Sequence, residues 1–364
     1  GTAQWFYFSV SCMKANQAVT FSIRNFSKPD SLFSEGMRPL MLSTEMSERG
    51  WVRCGTNISY LPETESTEAN NRQTNCRPSS FVLSFTHVFE HSDDTCYFAY
   101  AHPYTYTDLQ NHLAEKEGSL AAAGADYLYR GELCKTLAGN VCDLLTICPG
   151  ARDGVPVDSS KPQILLTARV HPGETSSSWI MQGVLDFLLS EDPEAADLRD
   201  MCVFKVVPML NPDGVINGNN RTSLSGHDLN RVWDAPSIEK HPTIFHCKEL
   251  ARVAQSSGGG LRLYLDLHGH SRQRGVFVYG CLPDMSVGVD PVPGSRGLVR
   301  SVSAGRAPAG TSSATERELF AFGRKFSADE SSTRRVRRSS SGIRQQSTNS
   351  SIGIAQSGRP PRAR

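Results

Sequence analysis

The sequence predicts an α/β layer fold, a mixed sheet with flanking helices, preceded by an antiparallel β-sandwich domain and followed by a disordered C-terminal tail. Three observations carry this. Residues Phe81, Leu83, Phe85, His87 and Phe89 alternate with Val82, Ser84, Thr86 and Val88, and a period of two places one set on one face of a sheet. From about Tyr104, continuous apolar runs alternate with helical spacings, as expected of strands covered on both faces. From about Pro291 the chain turns to Ser, Gly, Arg and Pro, too poor in bulky apolar groups to form a core. The expected division is a sandwich domain at 1–103, an α/β domain at 104–290 and a tail at 291–364.

In the first domain, 5–8, 19–26, 39–42 and 51–52 are aromatic or β-branched segments, separated by turn-forming pieces such as Ser27-Lys28-Pro29-Asp30. Short strands at this spacing suggest an antiparallel sandwich. Thr107 and Asp108 then read as a helix start, with the helix running to about Leu120. A buried strand is expected at 163–170 and a helix at 176–190, with Trp179, Ile180, Val184, Leu185 and Leu188 on one side. A strand at 201–210, a helix at 238–254 and strands at 261–267 and 275–279 complete the pattern.

Composition sets limits on function. A length of 364 residues fits about two domains. The tail from Ser301 carries 12 Lys/Arg against 4 Asp/Glu, a surplus of +8, which leaves residues 1–300 at −7 in a chain of net charge +1. No apolar run is long enough to span a membrane, and the opening Gly1-Thr2-Ala3-Gln4 is read as the start of a fragment without a visible signal peptide. The ten cysteines form no CxxC pair, which argues against a zinc–thiolate cluster. Cys96, Cys202 and Cys281 sit in apolar runs and read as reduced, buried thiols.

The chemistry-bearing residues fall in three segments. In Arg169-Val170-His171-Pro172-Gly173-Glu174-Thr175 a buried strand gives way to a helix, so His171 sits at the strand's carboxyl end, where open α/β sheets place ligands. Glu174, three residues on, can reach the same cation; alone, the pair is a weak signal and reads more readily as a capping carboxylate near a surface histidine. In Leu265-Asp266-Leu267-His268-Gly269-His270 a second strand ends in His268, the better ligand, with His270 the weaker candidate. Two His and one Glu with a fourth position open is the donor set of a catalytic zinc site in hydrolases. Between these lie Asn211-Pro212-Asp213-Gly214, Asn220-Arg221 and Asp228-Leu229-Asn230-Arg231. They form either a solvated loop or a set of arginines for carboxylates and developing negative charge.

Together these segments resemble the zinc metallocarboxypeptidases, and specifically the cytosolic carboxypeptidase subfamily that removes glutamates from tubulin. The strings are RVHPGETSSSW, PMLNPDGVINGNNR, DLNRVW and YLDLHGHSRQRGVFVYGC, with FAYAHPYTYTDLQ resembling the junction between a β-rich domain and the peptidase. The resemblance covers about residues 5–281. It implies one zinc ion per chain held by His171, Glu174 and His268, and an arginine, Arg221, that polarises the scissile carbonyl. It also implies that Asn230 and Arg231 grip the terminal carboxylate and that Asp228 orients the first histidine. The implied reaction is hydrolysis of C-terminal or side-chain-branched glutamates on polyglutamylated proteins by a zinc-activated water.

The family also uses a general-base glutamate in a string similar to SYTLE. No such string follows Cys281, and Glu316, Glu318 and Glu330 are the only later glutamates. The peptidase domain is therefore expected to be incomplete at its C-terminal end. The alternative function is a catalytically inactive, zinc-stabilised module that binds tubulin or microtubules. A zinc deacylase acting on N-acyl amino acids is a third reading, which the β-rich first domain disfavours. The expected partners are polyglutamylated tubulin or other acidic protein tails, with no nucleic acid and no membrane. The expected location is the cytoplasm, with microtubules, cilium or centriole as specific sites. The basic run Arg334-Arg335-Val336-Arg337-Arg338 reads as a solvated linker, an electrostatic contact with tubulin or a nuclear address.

Overall fold

The computed structural model of the protein describes residues 4–63, 80–154, 156–270 and 275–280. Contacts divide the chain into two units, Gly1–Gly275 and Val276–Arg364, and only 276–280 of the second are described. The tail expected at 291–364, with Glu316, Glu318 and Glu330, lies outside the described residues, as does Cys281.

The first unit opens with seven strands in two antiparallel sheets. β1 (Tyr7–Val10), β3 (Leu40–Ser43), β4 (Val52–Arg53) and β7 (Cys96–Ala99) form one, in the order β1-β7-β3-β4. β2 (Ala18–Phe26), β5 (Thr56–Pro62) and β6 (Phe81–Val88) form the other, in the order β2-β6-β5. The period of two in β6 is visible as burial: Phe81, Leu83, Phe85 and His87 are buried, while their neighbours are not. Facing side chains of the two sheets share one aromatic core. Phe21 of β2 lies 5.5 Å from Phe8 and 5.1 Å from Phe98, ring centroid to centroid. Such pairs add to the burial of large rings.

Helix α1 (Tyr106–Ala122) begins one residue earlier than the sequence suggests. The reason is a capping box: Thr105 Oγ1 accepts from the Asp108 amide at 3.0 Å, while the Asp108 carboxylate accepts from the Thr105 amide at 2.7 Å. The hairpin β8 (Leu128–Lys135) and β9 (Val141–Ile147) follows, then β10 (Gln163–Ala168), α2 (Thr175–Leu188), α3 (Pro193–Met201) and β11 (Val203–Val207). A short α4 (Pro212–Ile216), α5 (Pro242–Ser256) and β12 (Leu261–Leu267) complete the unit. The sheet order is β12-β10-β11-β9-β8, with β10 parallel to β11 and β12 and the β9 pairings antiparallel, so the sheet is mixed.

Leu166 and Ala168 of β10 pack in one core with Met181, Leu185 and Leu188 of α2 and Leu109 and Leu113 of α1. Leu165 and Thr167, which alternate with them, are also buried, so β10 is covered on both faces. Helix α5 lies against β8, β10 and β12. Because β10 sits between β11 and β12, the chain leaves it first to one side and later returns to the other. A topological switch of this kind opens a crevice at the carboxyl ends of the parallel strands.

Some boundaries differ from the sequence expectation. The strand expected at 201–210 is shorter because Met201 still belongs to α3. The helix expected at 238–254 starts at Pro242, whose fixed φ suits the first helical position. The strand expected at 275–279 is not formed: Val276 is 94% and Val278 76% exposed, and no ladder among the described residues pairs with them.

Candidate metal centre

The strand β10 ends at Ala168, three residues before His171, because Arg169 adopts a left-handed backbone (φ 58°). That conformation is costly for a residue with a Cβ. The buried Arg169 side chain folds back over the turn it starts, with Nε donating to the Pro172 carbonyl at 2.8 Å and Nη1 to Ser178 Oγ of α2 at 2.8 Å. Burial pulls its pKa down to about 10. The turn is packed tightly from the other side. The Gly173 amide donates to the Asn220 carbonyl at 2.8 Å, and a Cβ at Gly173 would lie 2.8 Å from that same oxygen. Glu174 is the cap residue of α2 rather than part of its first turn.

His268 follows β12 directly. Ala168 and Leu267 are register partners in the parallel ladder, so the two histidines follow the carboxyl ends of neighbouring strands at the same level. Their rings lie 5.1 Å apart, centroid to centroid. His171 Nδ1 lies 2.9 Å from Glu174 Oε1, and His268 Nδ1 lies 3.0 Å from Glu174 Oε2. Donor atoms of His171, Glu174 and His268 all fall within 4.8 Å of one another, the one such cluster among the described residues. His270 is exposed and stands outside it.

The far nitrogen of each ring meets a second carboxylate. His171 Nε2 is 3.1 Å from Asp228 Oδ1, and His268 Nε2 is 2.7 Å from Asp266 Oδ2. On a cation, a carboxylate at Nε2 would keep the ring proton there and leave the Nδ1 lone pair for the ion. Two imidazoles and a carboxylate prepared in this way form the nitrogen and oxygen donor set that zinc takes in hydrolase sites, and the residues present fit the ion. Each ring lies between two carboxylates. Burial opposes their charging, but the hydrogen bonds outweigh it: those that His171 donates to Asp228 and Glu174 raise its pKa, and those that His268 donates to Asp266 and Glu174 push it up to about 10. Burial would likewise raise Glu174, yet the two imidazoles hold it far below the usual carboxylate range.

Asp228 organises the loop that follows. Its Oδ1 accepts from the Asn230 amide at 2.9 Å, capping the 3-10 turn Leu229–Arg231, and its Oδ2 accepts from Arg221 Nε at 2.6 Å. Arg221 and Asn230 are thus tied through one carboxylate to the His171 side of the cluster, and the Arg231 amide donates to the Asp228 backbone carbonyl at 3.0 Å. Trp233 Nε1 donates to Asn230 Oδ1 at 3.0 Å, and Arg231 Nη1 donates to the Asn230 carbonyl at 3.1 Å.

Two residues of the centre escape the sequence reading. Asp266 lies two positions before His268, on the same strand face, and period-two spacing is the signal that reveals it. Its other oxygen accepts from Thr167 Oγ1 at 2.7 Å. Arg169 gives no such signal, since a left-handed residue after a strand is ordinarily read from glycine.

The model of the zinc carboxypeptidase family matches residues 120–355. Mouse cytosolic carboxypeptidase 1 is 45% identical over 285 residues, 76% of this chain and 23% of that protein. Human cytosolic carboxypeptidase 4 is 44% identical over 288 residues, 76% of this chain and 26% of that protein. The chain thus spans about a quarter of the length of these curated relatives. Among solved structures, a metallo-carboxypeptidase from Burkholderia cenocepacia superposes with a TM-score of 0.57 at 24% identity, covering 75% of this chain and 62% of that one. A metallo-carboxypeptidase from Pseudomonas aeruginosa gives 0.57 at 23% identity, covering 77% and 64%; both show likeness of fold alone. With a family match over most of the sheet that carries His171, Glu174 and His268, the chain belongs to the zinc carboxypeptidase family.

Proposed function

We propose that this protein is a zinc-dependent carboxypeptidase that removes C-terminal or side-chain-branched glutamates from polyglutamylated proteins such as tubulin, in the cytoplasm. The observation that supports it most directly is the convergence of two imidazole Nδ1 atoms on the two oxygens of Glu174, with each opposite nitrogen on its own carboxylate. His171, Glu174 and His268 would hold one zinc ion, which supplies Lewis acidity and an activated water when bound. Asp228 and Asp266 fix the two rings. Arg221, anchored through Nε by Asp228, offers positive charge beside the cluster for an oxyanion. Asn230 and Arg231, on the same turn, are the groups for a substrate's terminal carboxylate. Similarity to the cytosolic carboxypeptidases supports the glutamate substrate and the cytoplasmic location.

The test is release of free glutamate from a polyglutamylated tubulin-tail peptide by the zinc-loaded chain, with and without chelator. Chelator-sensitive release is expected; turnover that ignores the chelator would reject the zinc reading. A second reading, a non-catalytic zinc-stabilised module that binds microtubules, has one observation in its favour. The three carboxylates around the cluster among the described residues, Glu174, Asp228 and Asp266, are all engaged by imidazoles, so none of them is placed to act as general base. Co-sedimentation with microtubules without glutamate release would select that reading.

A further inference from the structure

The β8–β9 hairpin carries two cysteines that the metal centre does not use. Cys134 and Cys142 are register partners in the antiparallel ladder. Directly opposed residues of such a pair have Cα atoms about 4.5–5.5 Å apart and side chains on the same face. The register of this ladder shifts between Glu132 and Cys134, and the pairs Cys134–Cys142 and Lys135–Val141 stand on the tip side of that shift. A disulfide spans Cα separations of about 4.4–6.8 Å, a range that includes such opposed pairs. Both residues are buried, Cys142 fully and Cys134 at 9% exposure. Both are free thiols in this structure.

We propose that Cys134 and Cys142 are a site of reversible oxidation, in which a peroxide converts the facing thiols into a cross-strand disulfide. Cys134 is the attacking sulfur, being the one nearer solvent. The hydrogen bond from the Cys142 thiol lowers the Cys134 pKa, and the same interaction, with burial, raises that of Cys142. The Cys142 S–H also lies 3.5 Å from the Met209 carbonyl, so its hydrogen has two acceptors to choose between. The thiolate form is the nucleophile in such chemistry.

The steps balance as follows. Cys134 Sγ attacks one peroxide oxygen, the O–O bond breaks, and the departing oxygen takes up a proton to leave as water (or as an alcohol from an organic peroxide). Cys134 becomes a sulfenic acid. Cys142 Sγ gives up its proton and attacks Cys134 Sγ, the S–O bond breaks, and a second water leaves. Two thiols lose two electrons and one peroxide gains them. A thiol reductant reverses the bond by exchange.

The site is distinct from a metal site: among the described residues, the three donor groups that converge are His171, Glu174 and His268. Cys247 of α5 is also buried and lies close enough to influence both thiols, so it is the rival partner. The turn beyond the pair gives the bond a structural setting. Thr136 Oγ1 and Asn140 Nδ2 donate to the Asp213 carboxylate at 2.5 and 2.8 Å, tying the hairpin tip to α4.

The test is peptide mapping of the folded, zinc-loaded full chain after hydrogen peroxide, with free thiols alkylated before trypsin. Cleavage at Lys135 separates the two cysteines, so a disulfide joins the peptides 131–135 and 136–152. The expected result is this joined pair, lighter by two hydrogens than its separate parts and split by dithiothreitol. Because 136–152 also holds Cys148, the link should survive Cys148→Ala and vanish in Cys142→Ala. The proposal is overturned if exposed Cys12 is oxidised in a sample that contains no joined pair, or if Cys134 is found linked to Cys148 or Cys247. Should either variant fail to fold, fragmentation of the joined pair from the unaltered chain decides the same question, because fragments that break between Cys142 and Cys148 show which of the two carries 131–135.

Discussion

Each candidate imidazole is held from two sides, and the outer hold is made by an aspartate that would not touch the ion. Asp266 reaches His268 Nε2 at 2.7 Å and is itself fixed by Thr167. Asp266→Ala should therefore weaken zinc binding about 10–100-fold while leaving all three donors in place. Competition against a chromophoric chelator reads this directly, and an unchanged affinity would remove Asp266 from the centre. Arg169 allows a second prediction at the same scale. Its side chain makes two buried hydrogen bonds, and its backbone sits in the left-handed region. Arg169→Gly and Arg169→Ala lose the same bonds, but only glycine relieves the backbone, so the alanine variant should be less stable by about 1 kcal/mol in urea unfolding. Equal losses would show that the φ angle carries no strain. Both residues show how far the sequence speaks at this scale. His171, Glu174 and His268 are visible because strand ends and donor chemistry coincide. Asp266 needs the extra step of asking what shares the strand face with His268. Arg169 is silent, because its conformation is imposed by the packing of Pro172 and Ser178 around its guanidinium.

Among the elements, the corner joining β3 to β7 depends on one buried carboxylate. Asp94 accepts from Ser43 Oγ at 2.6 Å, from the Thr44 amide at 3.0 Å, from Thr44 Oγ1 at 2.8 Å and from the Glu45 amide at 3.2 Å. Burial alone would raise its pKa; these bonds outweigh that and hold it at about 2, below its ordinary 3.8. A depressed carboxylate stabilises the fold above its ordinary pKa, and the contribution is lost as pH falls through the folded value. Stability should thus drop between about pH 4 and pH 2, by about 2 kcal/mol from this group. Asp94→Asn should flatten that part of the stability–pH curve and lower stability at neutral pH; an unaltered curve would exclude Asp94 as its source. The β6 strand and α1 could be read from the sequence because alternation and capping are local signals. The β8–β9 hairpin could not, since Arg130, Gly131 and Glu132 interrupt any apolar period, and those positions are held by cross-strand contacts such as Arg130 Nε to Asp143 at 2.9 Å.

At the scale of the whole molecule, the candidate ion would join two neighbouring parallel strands and the cap of α2. Zinc binding only the folded sheet should raise the unfolding midpoint, by about 2.7 kcal/mol of stability at a free concentration 100 times the dissociation constant. Differential scanning calorimetry with added zinc and with chelator checks this, and identical midpoints would mean that the ion does not bind the folded centre. Strand order is the part of the architecture that no local pattern reveals. The segments ending in His171 and His268 read as two similar strands, but nothing in either states that β12 inserts beside β10 rather than beyond β11. That choice is made by long-range packing. It also has a consequence for synthesis on the ribosome. Glu174 and His268 are 94 residues apart in the chain, so at ordinary translation speeds roughly 5–20 s separate the appearance of the first two donors from that of the third. Until β12 has emerged and docked, the nascent chain offers a metal only the His171–Glu174 half of its site.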